Sequence, residues 1–561
     1  MGSDRAQPGA ALRGAARGRP LRGRHGVRAD AMTNGGAGRR LALAAVLGAS
    51  VLLDAWGLGW GLAGEYSWAP DELLPSAVRT GLEQHFSHGW HEKYGPFHYA
   101  VLAAAYEPVL VARRFGLVRA EGPDLDRILA LVGRIVSLLM ATLTVWLVAR
   151  LGRELGDAWA GILAAAFLAL SAPFVYYAKT ANLDEPYLFW FALSLLFYVR
   201  LLDGHRMRDY LLFAASAAAA VATKDQAYGL YVLTIPAVVA ALHVHRRAGG
   251  DRRLLPTLTD PRLVIAAGAG LVVLIVLDNV VFNPEGFLAH LRVIAGPASH
   301  PFRMFPNDLP GHLALLRQTV RHLAFAMGLP AFLVCAAGTA AALARPRENA
   351  RWLYLLVPAV SYVATFLHVV LYGYDRFVLP VCLVLALFGG WFLARGMRSR
   401  PPLRTAAAVL AVAVFSYSLV YAASVDHLLT HDSRYAVERW LSRNVPPGAL
   451  VATLGPLEYL PRLDGLRSRR LGPSVARLLQ VRPDYVMVNA DYAARADPGT
   501  GERELYDALF AGRFGYRLAL RERTPPGWSL IDPASLGREG PDRVFSNLDK
   551  VDPEICVFTA R

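Results

Sequence analysis

The sequence predicts a polytopic α-helical membrane protein with a C-terminal α/β domain, and three observations support this fold class. Of the 561 residues, 54% are hydrophobic and 18% are charged, whereas about a quarter of the residues of a soluble protein are charged. Apolar stretches of roughly 18 to 25 residues recur along most of the chain, and about 20 such residues cross a bilayer core. Arginine clusters lie at the ends of these stretches, as expected for topology-setting charge.

The net charge of +15 does not indicate a nucleic-acid partner. Nucleic-acid-binding proteins concentrate basic residues on one face or along one helix. Here the basic clusters follow apolar segments, at Arg39-Arg40, Arg113-Arg114, His245-Arg246-Arg247, Arg252-Arg253, Arg345 to Arg351 and Arg395 to Arg404. The three cysteines, Cys335, Cys382 and Cys556, lack metal-ligand spacing, so the sequence predicts neither a disulfide framework nor a zinc site.

Residues 1–40 are expected to be a disordered basic tail on the cytoplasmic side. The first part of this tail is rich in Arg, Gly and Ala and lacks apolar periodicity. Met32 lies just before the first apolar segment and is an alternative translation start. That segment, from Leu41, comes too late and is too long for an ordinary cleaved signal peptide.

About eleven membrane spans are expected within a domain comprising residues 41–423, with the amino end inside and the carboxyl end outside. They are approximately 41–62, 128–148, 159–177, 187–202, 210–222, 228–244, 263–281, 323–343, 353–371, 377–394 and 405–423. Two long loops, 63–127 and 282–322, are expected on the outer side. Within the first loop, Phe97 to Ala112 is interrupted by Pro108 and is predicted to be an interfacial helix.

Residues 424–561 are predicted to form an extracytoplasmic α/β domain, because the long apolar stretches end there. Short alternating segments indicate strands at 449–454, 484–488, 516–520 and 555–559. Amphipathic periodicity indicates helices at 435–441 and 502–510. A length of about 130 residues is usual for one domain.

Two acidic pairs, Asp71-Glu72 and Asp184-Glu185, lie at the outer ends of spans. A carboxylate there can act as a general base on an acceptor or bind a divalent metal. Each pair also suits the positive first turn of a helix, and for either pair taken alone this structural explanation is favoured. Because both pairs are expected on the same membrane face, a single shared site is the sharper hypothesis.

Basic residues are expected on the same face. Lys93 precedes the interfacial helix, at the depth of lipid headgroups, and can bind a lipid phosphate or simply extend into water. Lys224 and Arg376, in two other outer loops, can hold a phosphate or a sugar, although Asp375-Arg376 can also neutralise itself. Arg134 lies inside a span, where an unpaired charge is costly, so it is expected to brace the site.

The order of these segments resembles a known family. The chain is similar to the GT-C-type glycosyltransferases that use polyprenyl-phosphate sugars, the group of protein O-mannosyltransferases and aminoarabinose transferases. The resemblance covers about Leu41 to Gly390. The matching segments are Pro70-Asp71-Glu72, Lys93 to Tyr99, Arg134-Ile135-Val136-Ser137, Leu183-Asp184-Glu185-Pro186, Thr223-Lys224 and Arg376-Phe377-Val378-Leu379-Pro380. Gly95-Pro96 departs from the family, which often has two prolines there.

The resemblance implies a GT-C-like fold and roles for the acidic residues. Asp71 would be the catalytic base, supported by Glu72. Asp184 would orient the site, and a divalent metal, if one is used, would bind to Asp71 and Asp184. No other cofactor is implied. Lys93 and Arg376 would contact the carrier phosphate. Apart from the resemblance, the positions of Lys224, His98 and Glu185 make them further candidates for substrate contact, although a single interfacial histidine such as His98 is more often structural.

The implied reaction is a single displacement at the anomeric carbon of the sugar, with inversion and with Asp71 as proton acceptor. The implied partners are a polyprenyl-phosphate sugar donor, membrane lipid, and a lipid, glycan or protein acceptor at the outer face of the plasma membrane. A transporter or lipid flippase is the main alternative, and it should show inverted repeats and broken helices near the midplane. A non-catalytic scaffold is a third reading.

Overall fold

The computed structural model describes residues 34–62, 66–295, 297–536 and 543–560. Its first part is helical. The helices are α1 (Asn34–Ala55), α2 (Pro75–Glu83), α3 (Pro96–Arg114), α4 (Gly122–Leu155), α5 (Ala158–Ala169), α6 (Ala172–Ala178), α7 (Asp184–Gly204), α8 (Met207–Thr223), α9 (Thr234–Ala248), α10 (Leu255–Leu258), α11 (Pro261–Leu277) and α12 (Pro284–Ala295). The predicted tail lies largely outside the described residues, but its end is helical, because α1 begins at Asn34.

The helical part continues through α13 (Leu309–Met327), α14 (Leu329–Leu343), α15 (Ala350–Leu353), α16 (Leu356–Tyr362), α17 (His368–Val370), α18 (Leu379–Met397) and α19 (Pro401–Thr430). Short 3₁₀ segments precede α9 and α18, at Asp225–Leu230 and Asp375–Val378. The second predicted outer loop, 282–322, is therefore mostly helical, since it contains α12 and the beginning of α13.

Seven helical segments of the described chain are long and apolar enough to cross a membrane, and the number is nine if each of two bent pairs is one span. The shorter helices α8 and α11 lie at the positions of the other two predicted spans. The prediction of a polytopic helical membrane protein is confirmed. Helix α3 does not meet the same criterion, and its interfacial placement stays a prediction.

The two bent pairs have a local cause in the sequence. Helices α13 and α14 meet at an angle of 116°, at Gly328, whose φ of +72° suits glycine and which is followed by Pro330 at the start of α14. Helices α5 and α6 meet at 73°, where Pro173 lies in the first turn of α6. The chain after α6 then turns back, and residues 179–183 lie against the first outer loop.

The C-terminal part contains α20 (Ser433–Asn444), α21 (Val475–Val481), α22 (Ala490–Ala493), α23 (Gly501–Phe510) and α24 (Pro533–Leu536) around one sheet. The strands are β1 (Leu450–Leu454), β2 (Arg467–Leu471), β3 (Tyr485–Asn489), β4 (Tyr516–Glu522) and β5 (Ile555–Ala560), in the order β2-β1-β3-β5-β4. Strands β2, β1 and β3 are parallel, and β5 is antiparallel to β3 and β4. The predicted domain boundary at 423/424 lies inside α19.

Candidate active site

The first outer loop places Asp71 and Glu72 between α1 and α2, and the backbone turns sharply at Asp71. The φ of Asp71 is +61°, in the left-handed region that few residues other than Gly, Asn and Asp enter. Residues 179–183 hold this loop in place through two hydrogen bonds. The Leu73 N–H donates to the Ala181 carbonyl (3.0 Å), and the Asn182 side-chain amide donates to the Pro70 carbonyl (3.1 Å). The sharp turn separates the two neighbouring carboxylates.

Asp71 lies between two cationic side chains. Lys93 Nζ is 2.7 Å from Asp71 Oδ1, and Arg376 Nη1 is 2.9 Å from Asp71 Oδ2. The Lys93 side chain is 61% exposed and that of Asp71 is 27% exposed. Water, and therefore an incoming ligand, can reach Lys93 and Asp71, whereas the Arg376 side chain is only 11% exposed. Lys93, just before α3, and Arg376, just before α18, come from distant parts of the chain.

Asp184, the first residue of α7, lies beside this group. Lys224 Nζ is 2.7 Å from Asp184 Oδ1, and Arg376 Nη1 is 4.0 Å from Asp184 Oδ2. A single guanidinium nitrogen therefore lies within 4.0 Å of both Asp71 and Asp184. The two acidic turns belong to one cluster, which comprises Asp71, Asp184, Lys93, Lys224 and Arg376 and is called the charged cluster below.

The charged cluster shifts the pKa values of its members. Burial would raise the pKa of the Asp71 carboxyl, but the charges of Arg376 and Lys93 outweigh burial and hold that pKa well below its ordinary value. Burial lowers the pKa of Lys224 to about 8, and the attraction of Asp184 limits this decrease. Asp71 is therefore ionised at neutral pH, while Lys224 begins to lose its proton in mildly alkaline solution.

Glu72 points away from the charged cluster into the protein. Arg134, on α4, donates to both oxygens of Glu72 at 2.7 and 2.8 Å, and the Ala181 N–H donates to one of them at 2.7 Å. The same guanidinium donates to the carbonyl groups of Leu58 and Trp60, and its side chain is 0% exposed. We therefore place Glu72 with Arg134 in a structural brace beneath the site, and not among the reacting groups.

His98 and Glu185 were also predicted to contact the substrate. Both side chains are fully buried, and neither has a hydrogen-bond partner within the described residues. Neither belongs to the ion pairs of the charged cluster. Their role in substrate binding stays a prediction, and it requires a rearrangement that exposes them.

The predicted option of a divalent metal on Asp71 and Asp184 does not fit the residues present. Both carboxylates are already paired with ammonium or guanidinium groups. The described part of the chain contains no group of three or more His, Cys, Asp or Glu side chains that could hold a metal ion. Oxygen-ligated cations take six or more ligands, so no step of the proposed reaction is assigned to a metal.

A segment of the C-terminal domain contacts the loop that carries Arg376, and sequence reasoning missed it. The Asp375 N–H donates to the Phe545 carbonyl (2.8 Å), and the Ser546 hydroxyl donates to the Asp375 carboxylate. The Phe545 N–H also donates to His322 (3.1 Å). Asp375 therefore bonds to Ser546 and does not simply neutralise Arg376, contrary to the alternative considered from the sequence.

Comparisons with known proteins agree with this architecture. A family profile described as "Dolichyl-phosphate-mannose-protein mannosyltransferase" matches residues 129–258. The match indicates a glycosyltransferase. It covers the chain from within α4 to the end of α10, a stretch that contains Arg134, Asp184 and Lys224. No curated protein sequence matches the chain significantly.

A solved structure shares the fold. ArnT from Cupriavidus metallidurans bound to undecaprenyl phosphate has a TM-score of 0.50 and 14% identity, over 94% of this chain and 98% of that one. The oligosaccharyltransferase of Archaeoglobus fulgidus in complex with zinc and sulfate has a TM-score of 0.49 and 13% identity, over 92% and 88%. The predicted GT-C-like membrane fold is confirmed.

Proposed function

We propose that the protein transfers a sugar from a polyprenyl-phosphate carrier to an acceptor at the outer face of the membrane. The observation that carries this proposal is the partly exposed carboxylate of Asp71, which is held between two cations that a phosphate can also bind. Two findings support the donor class. The matching family profile names a dolichyl-phosphate sugar, and the similar ArnT structure contains undecaprenyl phosphate.

The proposed reaction is one displacement with inversion at the anomeric carbon. The bond between that carbon and the carrier phosphate breaks, and a bond to the acceptor oxygen or nitrogen forms. The proton of the acceptor moves to Asp71, and the carrier leaves as polyprenyl phosphate. Lys93 and Arg376 offset the charge that builds on the leaving phosphate. Asp184, held by Lys224, fixes Arg376 in place.

Donor binding would also activate the base in this scheme. In the structure, Lys93 and Arg376 pair with Asp71 and depress its pKa, which makes Asp71 a weak proton acceptor. A phosphate that binds these two cations competes with Asp71 for them. The carboxylate then regains basicity when the donor is in place, so the unloaded enzyme does not activate acceptors.

The test uses purified protein and a labelled polyprenyl-phosphate sugar. Transfer of the label to an acceptor, or slow hydrolysis of the donor in water, is expected for the wild type. Asp71→Asn should reduce this activity by about 10²- to 10⁴-fold, the usual contribution of a general base. Asparagine tolerates the left-handed backbone, so the thermal midpoint of the variant should stay unchanged. Normal activity of Asp71→Asn would remove Asp71 from the mechanism.

The same material distinguishes the enzyme from a transporter. A lipid flippase in vesicles would move the labelled carrier across the bilayer without breaking the sugar–phosphate bond. The bent helix pairs are compatible with a transporter. Transporter sites lie near the bilayer midplane, however, whereas the residues of the charged cluster lie at the ends of the spans. Accessibility labelling of single cysteines in the C-terminal domain tests the proposed extracytoplasmic placement.

A further inference from the structure

Lysine is rare in this chain, and its positions are informative. Of 59 Lys and Arg residues only four are lysines, namely Lys93, Lys179, Lys224 and Lys550. Lys93 and Lys224 pair with the two carboxylates of the charged cluster. Lys179 is fully buried and joins α1 to α19, through the Leu53 and Trp56 carbonyl groups and Asp426. Elsewhere the chain uses arginine, so the position of the fourth lysine is of interest.

Lys550 lies in the segment of the C-terminal domain that docks on the site. It ends the 3₁₀ helix Asn547–Lys550, one turn after the residues that bond to Asp375. Asn547, at the other end of this turn, donates to the Tyr177 hydroxyl (3.0 Å) in the helical part. Ser546, four residues before Lys550, bonds to Asp375, the neighbour of Arg376 in the charged cluster, and the charges of Asp549, Arg376 and Asp71 all act on the Lys550 ammonium group.

The ammonium group of Lys550 has few partners. It donates to Asn547 Oδ1 at 3.1 Å and lies 5.8 Å from the centre of the Tyr459 ring. It forms no ion pair within the described part of the chain, and the adjacent Asp549 carboxylate is bound by Arg495 (3.2 Å) and Arg543 (3.4 Å) instead.

Burial disfavours the charged form of this amine and lowers its pKa. An ammonium group can donate three hydrogen bonds, and a half-buried one that forms no ion pair is held at a cost in desolvation. The unused donors of Lys550 therefore favour an anionic ligand that is bound during the reaction.

We propose that Lys550 is a third cationic ligand of the carrier phosphate, supplied by the C-terminal domain in addition to Lys93 and Arg376. This inference rests on the proposed function and adds a residue to its donor site. It follows that the C-terminal domain completes the donor site. An ammonium group suits this task, because it is a compact point charge that binds phosphate without the planar geometry of a guanidinium.

The experiment measures binding of undecaprenyl phosphate and of undecaprenol to the full-length protein in detergent. Lys550→Gln is expected to weaken binding of the phosphate about tenfold, the effect of losing one charge-assisted hydrogen bond. Binding of undecaprenol should not change, and Lys550→Arg should recover most of the affinity. Arg469→Gln, which removes an exposed arginine of strand β2, is the matched control and should bind like the wild type.

Each other outcome would overturn the inference. Undiminished phosphate binding by Lys550→Gln would show that Lys550 does not contact the phosphate. Equal weakening for the phosphate and the alcohol, or for Lys550→Gln and Arg469→Gln, would indicate a general structural effect. If the wild type itself did not discriminate undecaprenyl phosphate from undecaprenol, both this inference and the proposed donor would be wrong, whereas failure in the variant alone leaves the proposed function intact.

Discussion

Asp71 and Glu72 are neighbours in the chain, but their carboxylates lie in opposite surroundings. Asp71 is partly exposed and paired with Lys93, which a ligand can reach, and with Arg376, which is largely buried. Glu72 is buried and paired with Arg134, which has no access to solvent. The comparison shows that burial decides whether an ion pair can exchange partners with a ligand or serves only to hold the structure. Partly exposed pairs exchange partners at little cost, whereas a buried pair holds the backbone in one conformation.

The largest effect is expected when the buried pair is broken. Arg134→Met leaves the Glu72 carboxylate uncompensated inside the protein, which typically costs about 3 to 5 kcal/mol. Thermal unfolding in detergent should show a strongly lowered midpoint and poor yield. Arg127→Met is the control, since Arg127 lies on the same helix but in partly exposed ion pairs, and should cost less than about 1 kcal/mol. Equal midpoints for the two variants would contradict the brace.

A smaller effect, on the pH dependence of catalysis, is expected when Lys224, which pairs with Asp184, is replaced by arginine. Lys224 is protonated below pH 8 and loses its charge as the pH rises through its pKa of about 8, so kcat/KM of the wild type should fall in that range. Lys224→Arg keeps a charge at every accessible pH. The alkaline limb of the pH profile should therefore move upward by about one unit or more. An unchanged alkaline limb would assign the titration to another group.

The smallest effect concerns the contact between the C-terminal domain and the charged cluster. Ser546→Ala removes the hydroxyl that donates to Asp375, the residue before Arg376. Arg376 should become less well fixed, and KM for the donor should rise about three- to tenfold, as expected for one hydrogen bond to a charged group. Ser442→Ala, at an exposed position of α20, is the control. If Ser546→Ala changed kcat but left KM for the donor unchanged, the contact between Ser546 and Asp375 would have no role in donor binding.

Much of the fold could be predicted from the sequence, because apolar length and basic flanks are strong signals. Each predicted span has a helix at its position, and four of the five strands begin within one residue of their predicted positions. Strand β2 was missed, because its sequence Arg-Ser-Arg-Arg-Leu has no apolar alternation. It lies at an exposed edge of the sheet, where arginine also hinders unwanted pairing.

The charged cluster was predictable in its members but not in its internal geometry. Acidic pairs at the ends of two spans pointed to Asp71 and Asp184. Nothing in the sequence showed that the turn at Asp71 would send the next carboxylate inward to Arg134. Ser546 and Lys550 lie far from Asp71 in the sequence. Their contacts depend on how the C-terminal domain packs against the helical part, which no local pattern indicates. The rarity of lysine was the one sequence signal that could have drawn attention to Lys550.

The left-handed backbone at Asp71 narrows the paths by which evolution can adjust this enzyme. Glutamate, the obvious substitute for a carboxylate base, would keep the charge but meet a conformational penalty of about 1 to 2 kcal/mol at φ +61°. Asparagine and glycine enter that conformation readily, but neither accepts a proton. A lineage that loses this side chain therefore has few single-step routes back to an active protein other than direct reversion.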